Sequence, residues 1–256
     1  ALAHPSAQWR ASDSRCGGAL VWFLRDLWAG AGWGLLDEQG KPKAAFHALS
    51  RQLQPIWVGW VDNGLNGLEL HWSNESVDHL DVRVEVQAWR DGQQPVARGS
   101  LPRKLAPRSR GRVSLAELLG GFVDLNWAYR FGPEIAELTQ ARLVDNDGAV
   151  LASALNFAPS LLARRAPVGL AARDVANPEA THEANGSRQV LVSTQSAALG
   201  VHFEASGWQA SDEYFHLAPG EERRVELVPS PTRGSRVAPL AGVAVTALNT
   251  QEILVL

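Results

Sequence analysis

Tryptophans and an aspartate near the start of the chain are residue types that could bind a sugar. Trp22, Asp26 and Trp28 lie close together in the sequence, and Trp33 follows them. The flat face of an indole can stack on the C–H face of a pyranose, and a carboxylate accepts hydrogen bonds from hydroxyls. The same residues could be scaffold, because aromatic side chains also fill cores and a buried Asp needs partners. The residue types alone leave both interpretations open.

Other catalytic and cofactor chemistries have weaker sequence signals. The Asn74-Glu75 pair could present a glycosidase acid/base, but its polar turn composition between two alternating segments favours a solvated hairpin Glu. Motifs for a metal (HExxH), a phosphate (GxGxxG) or an activated serine (GxSxG) do not occur. The single cysteine, Cys16, excludes an internal disulfide and a cysteine-built zinc site. We predict no cofactor and no metal site.

Composition indicates a globular chain and excludes two kinds of partner. Of 256 residues, 45% are hydrophobic and 20% charged, which is not the composition of a disordered chain. A net charge of −3 offers no basic field for nucleic acid, and no uncharged apolar run is long enough to predict a membrane span. Arg outnumbers Lys by 21 to 3, which we interpret as a GC-rich bacterial genome. The compartment stays open, with a periplasmic or secreted location included.

The elements that must position the tryptophans form one β/α unit. Residues 19–24 (ALVWFL) are a short apolar run after a Gly pair, which is typical of a strand buried on both faces. Residues 41–55 (KPKAAFHALSRQLQP) have helical spacing and end at a proline. One such unit cannot bury both faces of its strand, so it needs a parent structure. This, together with the absence of Met, predicts that the sequence is part of a longer polypeptide.

The rest of the chain has the pattern of antiparallel strands. Residues 79–89 (HLDVRVEVQAW) alternate between apolar and polar, and DNDG at 145–148 predicts a hairpin. Ser114 and Glu117 predict the capped start of a short helix. Four later strand candidates are separated by Gly, Pro and Asn turns: 188–195, 199–205, 222–230 and 242–249. This profile predicts antiparallel β-sandwiches.

Residues 18–49 (GALVWFLRDLWAGAGWGLLDEQGKPKAAFHAL) resemble the end of the catalytic barrel of β-mannosidases in glycoside hydrolase family 2. That family carries the pattern Gly-x-Leu-x-Trp-x-Leu-x-Asp-x-Trp, then a Ser/Gly-Trp, an Asp and Gly-[Arg/Lys]-Pro-Lys. Residues 211–227 (SDEYFHLAPGEERRVEL) also resemble a turn in the last sandwich of the family. The sequence departs from the pattern at Phe23 and Arg25, where many members have Gln and Asn.

The resemblance implies a mainly β chain in three parts. Residues 1–54 would be the last strand-helix unit of a TIM-type (α/β)8 barrel. Residues 55–162 would be an immunoglobulin-like β-sandwich with a short helix, and residues 163–256 a C-terminal sandwich of the same class. The parent fold would also contribute the N-terminal part of the same polypeptide as a partner.

The resemblance also implies a function, namely the exo-acting, retaining hydrolysis of terminal β-mannosyl residues. The family uses two Glu on other barrel strands, so no catalytic residue is expected in this segment, which would be inactive alone. Trp22 matches the residue that lines the terminal-sugar subsite, and Asp26 and Trp28 match the residues that follow it. The expected substrate is therefore a β-mannoside or an oligosaccharide.

Alternative functions remain open. A relative could act on another β-glycoside, and the sandwiches could brace a barrel as scaffold. A non-catalytic carbohydrate-binding module would need a row of exposed aromatics on one sheet, for which Trp89 and Trp127 are the candidates. Trp89 is expected on the polar side of its strand, which argues against such a row.

Overall fold

The computed structural model describes residues 3–175, 187–230 and 242–256. The chain divides into two compact units, the first made of Ala1–Leu20 with Leu49–Leu161 and the second of Val21–Ala48 with Leu162–Leu256. Strands far outnumber helices among the described residues, so the predicted mainly β class is confirmed. The division into 1–54, 55–162 and 163–256 stays a prediction.

Helices and strands follow one another in a mostly β order. In chain order they are α1 (Ala3–Arg10), α2 (Ala44–Gln52), β1 (Ile56–Asp62), β2 (Leu68–Asn74), β3 (Leu80–Arg90), β4 (Gln94–Leu105), β5 (Ser109–Ser114), α3 (Leu115–Leu119), β6 (Leu138–Asp145), β7 (Val150–Phe157), α4 (Pro159–Ala163), β8 (Ala171–Val175), β9 (Arg188–Ser193), β10 (Ala198–Glu204), β11 (Trp208–Ala210), β12 (Phe215–Leu217), β13 (Glu222–Pro229), β14 (Ala244–Thr246) and β15 (Ile253–Val255). All strand pairs in the described ranges are antiparallel. No helix in those ranges is long and apolar enough to cross a membrane.

The first unit is a β-sandwich with one hydrophobic core. Its sheets have the strand orders β1-β2-β5 and β4-β3-β6-β7. Leu70 of the first sheet and Val84 and Leu143 of the second are fully buried in the same cluster. Burying apolar side chains from two facing sheets is what holds a sandwich together, at roughly 25 cal/mol per Å² of apolar area.

The helix cap and the hairpin turn predicted for this unit are both present. The Ser114 hydroxyl accepts a hydrogen bond from the Glu117 N–H at 3.1 Å, which caps α3, and Gly120 ends the helix in the left-handed region. In the β6–β7 hairpin the Asp145 carboxylate accepts hydrogen bonds from two backbone N–H groups of the turn, and Gly148 has a φ of 87°. Both predictions are confirmed.

Trp89, which is predicted on the polar side of its strand, is buried. Strand β3 alternates as predicted up to Ala88, but the register shifts between Ala88 and Trp89 against β4. The extra residue at this irregularity is Val96 of β4, and the pairing of β3 with β6 stays regular through Trp89, which is 5% exposed. Trp89 lies outside the core cluster that contains Val84 and Ala88, and its burial removes it from any row of exposed aromatics.

The second unit contains a second sandwich. Its two sheets have the orders β12-β10-β14-β15 and β11-β13-β9-β8, and Phe215, Val225 and Val245 from these sheets share one core. The turn at Gly220 (φ 77°) leads into β13, whose Val225 and Leu227 are fully buried as predicted. The four predicted strand segments overlap with β9, β10, β13 and β14.

The predicted β/α unit is found only in part. The helix over residues 41–55 is confirmed as α2, Ala44–Gln52. The strand over residues 19–24 is absent, and that prediction is wrong for the structure described. A strand needs a ladder of backbone partners, and near this segment the described residues supply only isolated bridges, from Arg25 to Leu36 and from Leu36 to Pro42.

Candidate functional site

The segment of residues 21–33, in the second unit, presents aromatic rings to solvent. Trp22 is 84%, Trp28 74% and Trp33 83% exposed, and we call these side chains the tryptophan surface. The peptide bond from Trp22 to Phe23 is cis, and their rings meet edge to face at 6.4 Å between centroids. These exposures leave the three indole faces available for contact with another molecule.

Asp26, the third predicted site residue, has a different environment. It is only 5% exposed, and its Oδ1 accepts a hydrogen bond from the Gly34 N–H at 2.7 Å. Its Oδ2 is hydrogen-bonded and ion-paired to the Lys43 ammonium group. The hydrogen bond from Lys43 lowers the pKa of Asp26, and the bond from Gly34 and the charge of Lys43 lower it further against the opposing effect of burial. Both carboxylate oxygens thus bind groups of the protein, which favours a positioning role for Asp26 over direct contact with a sugar.

A short backbone framework holds this segment in place of the predicted strand. The Leu36 N–H donates to the Leu24 carbonyl at 2.9 Å, and the Asp26 N–H donates to the Leu36 carbonyl at 3.0 Å. The Lys43 N–H donates to the Leu35 carbonyl at 2.9 Å, so the residues just before α2 are bound to the same framework. The Asp26–Lys43 pair therefore links residues 21–36 to the start of the helix.

A substitution at Gly32 tests whether Asp26 organises the segment. A Cβ at Gly32 would overlap the Asp26 carboxylate, so Gly32→Ala is expected to separate Asp26 from Lys43. Local opening should then expose the chain to protease, with tryptic cleavage after Arg25 and Lys43 about severalfold faster than in the wild type.

Gly18→Ala is the matched control, because a Cβ there meets nothing within 4 Å. Its cleavage rate should equal that of the wild type. Equal rates for the Gly32 and Gly18 variants would contradict the organising role of Asp26.

Glu75 is a surface residue, as the sequence predicted. Its side chain is 52% exposed and pairs with Arg10 at 2.7 Å. The neighbouring Asn74 is fully buried, and its amide donates to the Asp78 and Ala106 carbonyls at 2.9 and 3.0 Å. The hydrogen bonds of Asn74 therefore anchor the end of β2, and Glu75 is a solvent-exposed residue that follows this strand.

A cavity of about 720 Å³ in the second unit was not predicted from the sequence. Glu213, which is 8% exposed, lines it together with Lys41, His202 and Tyr214. Burial raises the pKa of Glu213 to about 7, against the effect of the Lys41 charge and with that of Asp212. The rings of His202 and Tyr214 stack at 5.1 Å. Nothing in the acidic turn SDEY distinguishes a buried Glu from an exposed one, so only tertiary structure reveals it.

The described residues offer no metal site. Across residues 3–175, 187–230 and 242–256, no three His, Cys, Asp or Glu side chains come together as ligands.

Comparison with known proteins identifies the class of protein to which this chain is similar, namely glycoside hydrolases of the β-mannosidase kind. No family model matches the chain. Beta-mannosidase B of Aspergillus oryzae is 24% identical over 244 residues, a match that covers 86% of this chain. A second Beta-mannosidase B, from Neosartorya fischeri, is 25% identical over 238 residues. The chain spans about a quarter (26%) of the length of each relative.

Solved structures share the fold at low sequence identity. A β-D-mannosidase from Dictyoglomus thermophilum superposes with a TM-score of 0.68 at 17% identity, covering 99% of this chain and 29% of that chain. An exo-chitosanase from Amycolatopsis orientalis gives the same TM-score at 13% identity, with coverages of 99% and 32%. At these identities the likeness concerns the fold alone.

These matches confirm the resemblance to a β-mannosidase-like enzyme. They do not support the bacterial origin that we inferred from the Arg to Lys ratio, because both curated relatives are fungal. Codon bias affects the choice between Arg and Lys in any GC-rich genome, so the ratio does not identify a kingdom.

Proposed function

We propose that the chain is the C-terminal part of an exo-acting, retaining β-mannosidase whose catalytic Glu pair lies outside these 256 residues. The observation that carries the proposal is the match to Beta-mannosidase B, which extends over 86% of this chain but 26% of the relative. Activity then belongs to the longer polypeptide. The substrate is a β-mannoside or a mannosyl oligosaccharide, and the N-terminal part of the same polypeptide is the partner.

The tryptophan surface supplies part of the wall of the sugar site in this proposal. Trp22 lines the terminal-sugar subsite, as the family resemblance implies, and Trp28 extends the same segment. Asp26 holds the segment through Gly34 and Lys43 and so acts as a positioning residue. Retention would require two carboxyl groups about 5–5.5 Å apart, both supplied by the other part of the enzyme.

The proposal includes a place for residues 1–54 as the last strand-helix unit of an (α/β)8 barrel. Helix α2 supports this placement. Residues 19–24 would become a strand only when neighbouring barrel strands supply their backbone partners. Burial in such a barrel would also remove apolar side chains such as Leu24, which is 60% exposed, from water.

The isolated chain is expected to give no turnover of an aryl β-mannoside, because it lacks the acid/base and the nucleophile. The longer polypeptide, which includes the N-terminal part, is expected to release the phenol and to retain the β configuration of the sugar. Turnover by the isolated chain would contradict the proposed position of the catalytic residues. Absence of turnover by the longer polypeptide on β-mannosides would contradict the substrate.

Two tryptophan variants of the longer enzyme separate a sugar contact from a core residue. Trp22→Ala is expected to lower kcat/KM about tenfold or more, which corresponds to about 1.4 kcal/mol of transition-state binding, with little change in Tm. Trp72, which is 8% exposed and belongs to the core of the first unit, is the control. Trp72→Ala should lower Tm and leave kcat/KM of the folded enzyme unchanged. Equal kinetic effects would assign Trp22 to packing.

A further inference from the structure

Four aromatic side chains are displayed to solvent by one loop of the first unit, between α3 and β6. Phe122 is 55%, Trp127 37%, Tyr129 41% and Phe131 85% exposed. Together they line a groove of about 440 Å³, which is in the size range of small-molecule sites. We call these four residues the aromatic loop. Clustered exposed rings are unusual on a protein surface without a binding role.

Hydrogen bonds fix the aromatic loop from within. The Asp124 carboxylate accepts hydrogen bonds from the Ala128 N–H at 2.8 Å and the Tyr129 N–H at 3.0 Å. The Tyr129 hydroxyl donates to the Leu65 carbonyl at 3.0 Å. The Trp127 indole N–H donates to the Gly132 carbonyl at 3.1 Å. The polar tips of two rings are thus engaged by the protein, and the ring bodies are held in position before any ligand arrives.

The loop keeps this shape at an energetic cost. Trp127 and Arg130 have φ values of 50° and 54°, in the left-handed region that side chains with a Cβ seldom adopt. The Asn126 amide nitrogen donates to the Asp62 carboxylate at 2.7 Å and to the Gly64 carbonyl at 3.0 Å, yet its buried Oδ1 has no hydrogen-bond partner among the residues that the structure describes. Unfavourable backbone and polar groups concentrated in one exposed loop are typical of functional sites.

We propose that the aromatic loop is a carbohydrate-binding platform for a neutral oligosaccharide of pyranose units. The rings of Tyr129 and Phe131 are nearly parallel, 6.1 Å apart at 24°, and Phe122 stands perpendicular to Tyr129 at 5.7 Å. Flat ring faces fit the C–H faces of sugars, and the exposed Arg130, 6.0 Å above the Trp127 ring, offers N–H donors for hydroxyls. The choice of a sugar as ligand rests on the proposed function.

The platform differs from the aromatic row considered in the sequence analysis. Of the two candidates named there, Trp89 is buried and only Trp127 contributes. The partners of Trp127 come from a loop and not from the face of a sheet. Six of the seven residues that line the groove are apolar, and four of these are aromatic. Such a lining supports stacking and provides no charge cluster for an ionic ligand.

Calorimetric titration of the full 256-residue chain with β-1,4-mannohexaose tests the platform. Saturable binding is expected, and Phe131→Ala should weaken it about tenfold, because this ring is the most exposed of the four. Tyr129→Phe keeps the ring and loses the bond to Leu65, so it should weaken binding less. Val77→Ala, at an apolar position of the same unit that is 69% exposed, is the control and should bind as the wild type does.

The tryptophan surface is tested by the same calorimetric titration. If Trp22→Ala abolishes binding and Phe131→Ala does not change it, the sugar binds at the tryptophan surface and the platform proposal is overturned. Absence of binding to mannohexaose, cellohexaose and chitohexaose would also overturn the platform proposal. Binding of cellohexaose or chitohexaose would support the proposal and identify the sugar that the platform prefers. The proposed function is tested separately by turnover of β-mannosides, which does not need Phe131.

Discussion

Phe215→Ala is expected to lower the free energy of unfolding of the second unit by about 3–5 kcal/mol. Phe215 is 1% exposed and belongs to the core that joins both sheets of this unit. Its ring lies 6.5 Å from that of Phe203, and the Arg223 guanidinium lies 4.8 Å above it. Truncation would remove all of these contacts and leave a cavity that two sheets anchored by backbone ladders cannot readily close.

The matched control makes the same chemical change on the surface. Phe131 is 85% exposed, so Phe131→Ala should change the free energy of unfolding by no more than about 0.5 kcal/mol. Hydrogen exchange resolved by peptide reports on each unit separately. The Phe215 variant should lose protection in β9, β10 and β13, with β3 and β6 unchanged. Equal losses for the two variants would contradict the assignment of Phe215 to the core.

Elements specified by local signals could be predicted from the sequence. Alternation of apolar and polar residues is a property of the strand itself, so β3 is found where the pattern lies. The Ser114 cap of α3 and the Asp145 turn each depend on a few adjacent residues. Because these interactions join residues that are close in the sequence, such features can be predicted without knowledge of the rest of the fold.

Features that depend on distant partners could not be predicted in the same way. Residues 19–24 have strand composition, but a strand forms only beside another strand, and the described residues provide none there. Trp89 is buried although the alternation of β3 predicts it on the polar side, and no pattern within β3 indicates that this position is covered. Asp26 looks like a sugar contact in the sequence, and only the structure reveals that Lys43 and Gly34 bind both of its oxygens.

The exposure of the aromatic loop, on which its proposed binding role depends, could not be predicted from the sequence either. Its spacing, FVDLNWAYRF at 122–131, is visible in the sequence, yet periodicity assigns it to neither a strand nor a helix. Aromatic residues in such a segment could equally be buried. Their exposure depends on Asp124 and on the Tyr129 bond to Leu65, both of which need the folded loop.

Glu213→Gln is expected to stabilise the chain at pH 8, by on the order of 3 kcal/mol, and to have little effect at pH 4. The pKa of Glu213 is raised by burial to about 7 in the folded chain, from 4.5 as the ordinary value. The folded state therefore holds a proton that the unfolded state has released between these pH values. Stability falls as pH rises through this range, by about 1.4 kcal/mol for each pKa unit.

Gln mimics the neutral carboxyl, so the variant should lack the loss that the wild type suffers between about pH 4.5 and 7. The two proteins are compared by urea unfolding at pH 4, 6 and 8, since other groups titrate equally in both. Glu222→Gln removes the same charge from an exposed strand position and controls for net charge. A Glu213→Gln variant that is destabilised, and more strongly at pH 6 and 8 than at pH 4, would mean that the cavity holds a charged carboxylate. The Lys41 ammonium would then outweigh burial, and the cavity would be a site for an ion pair instead of a neutral acid.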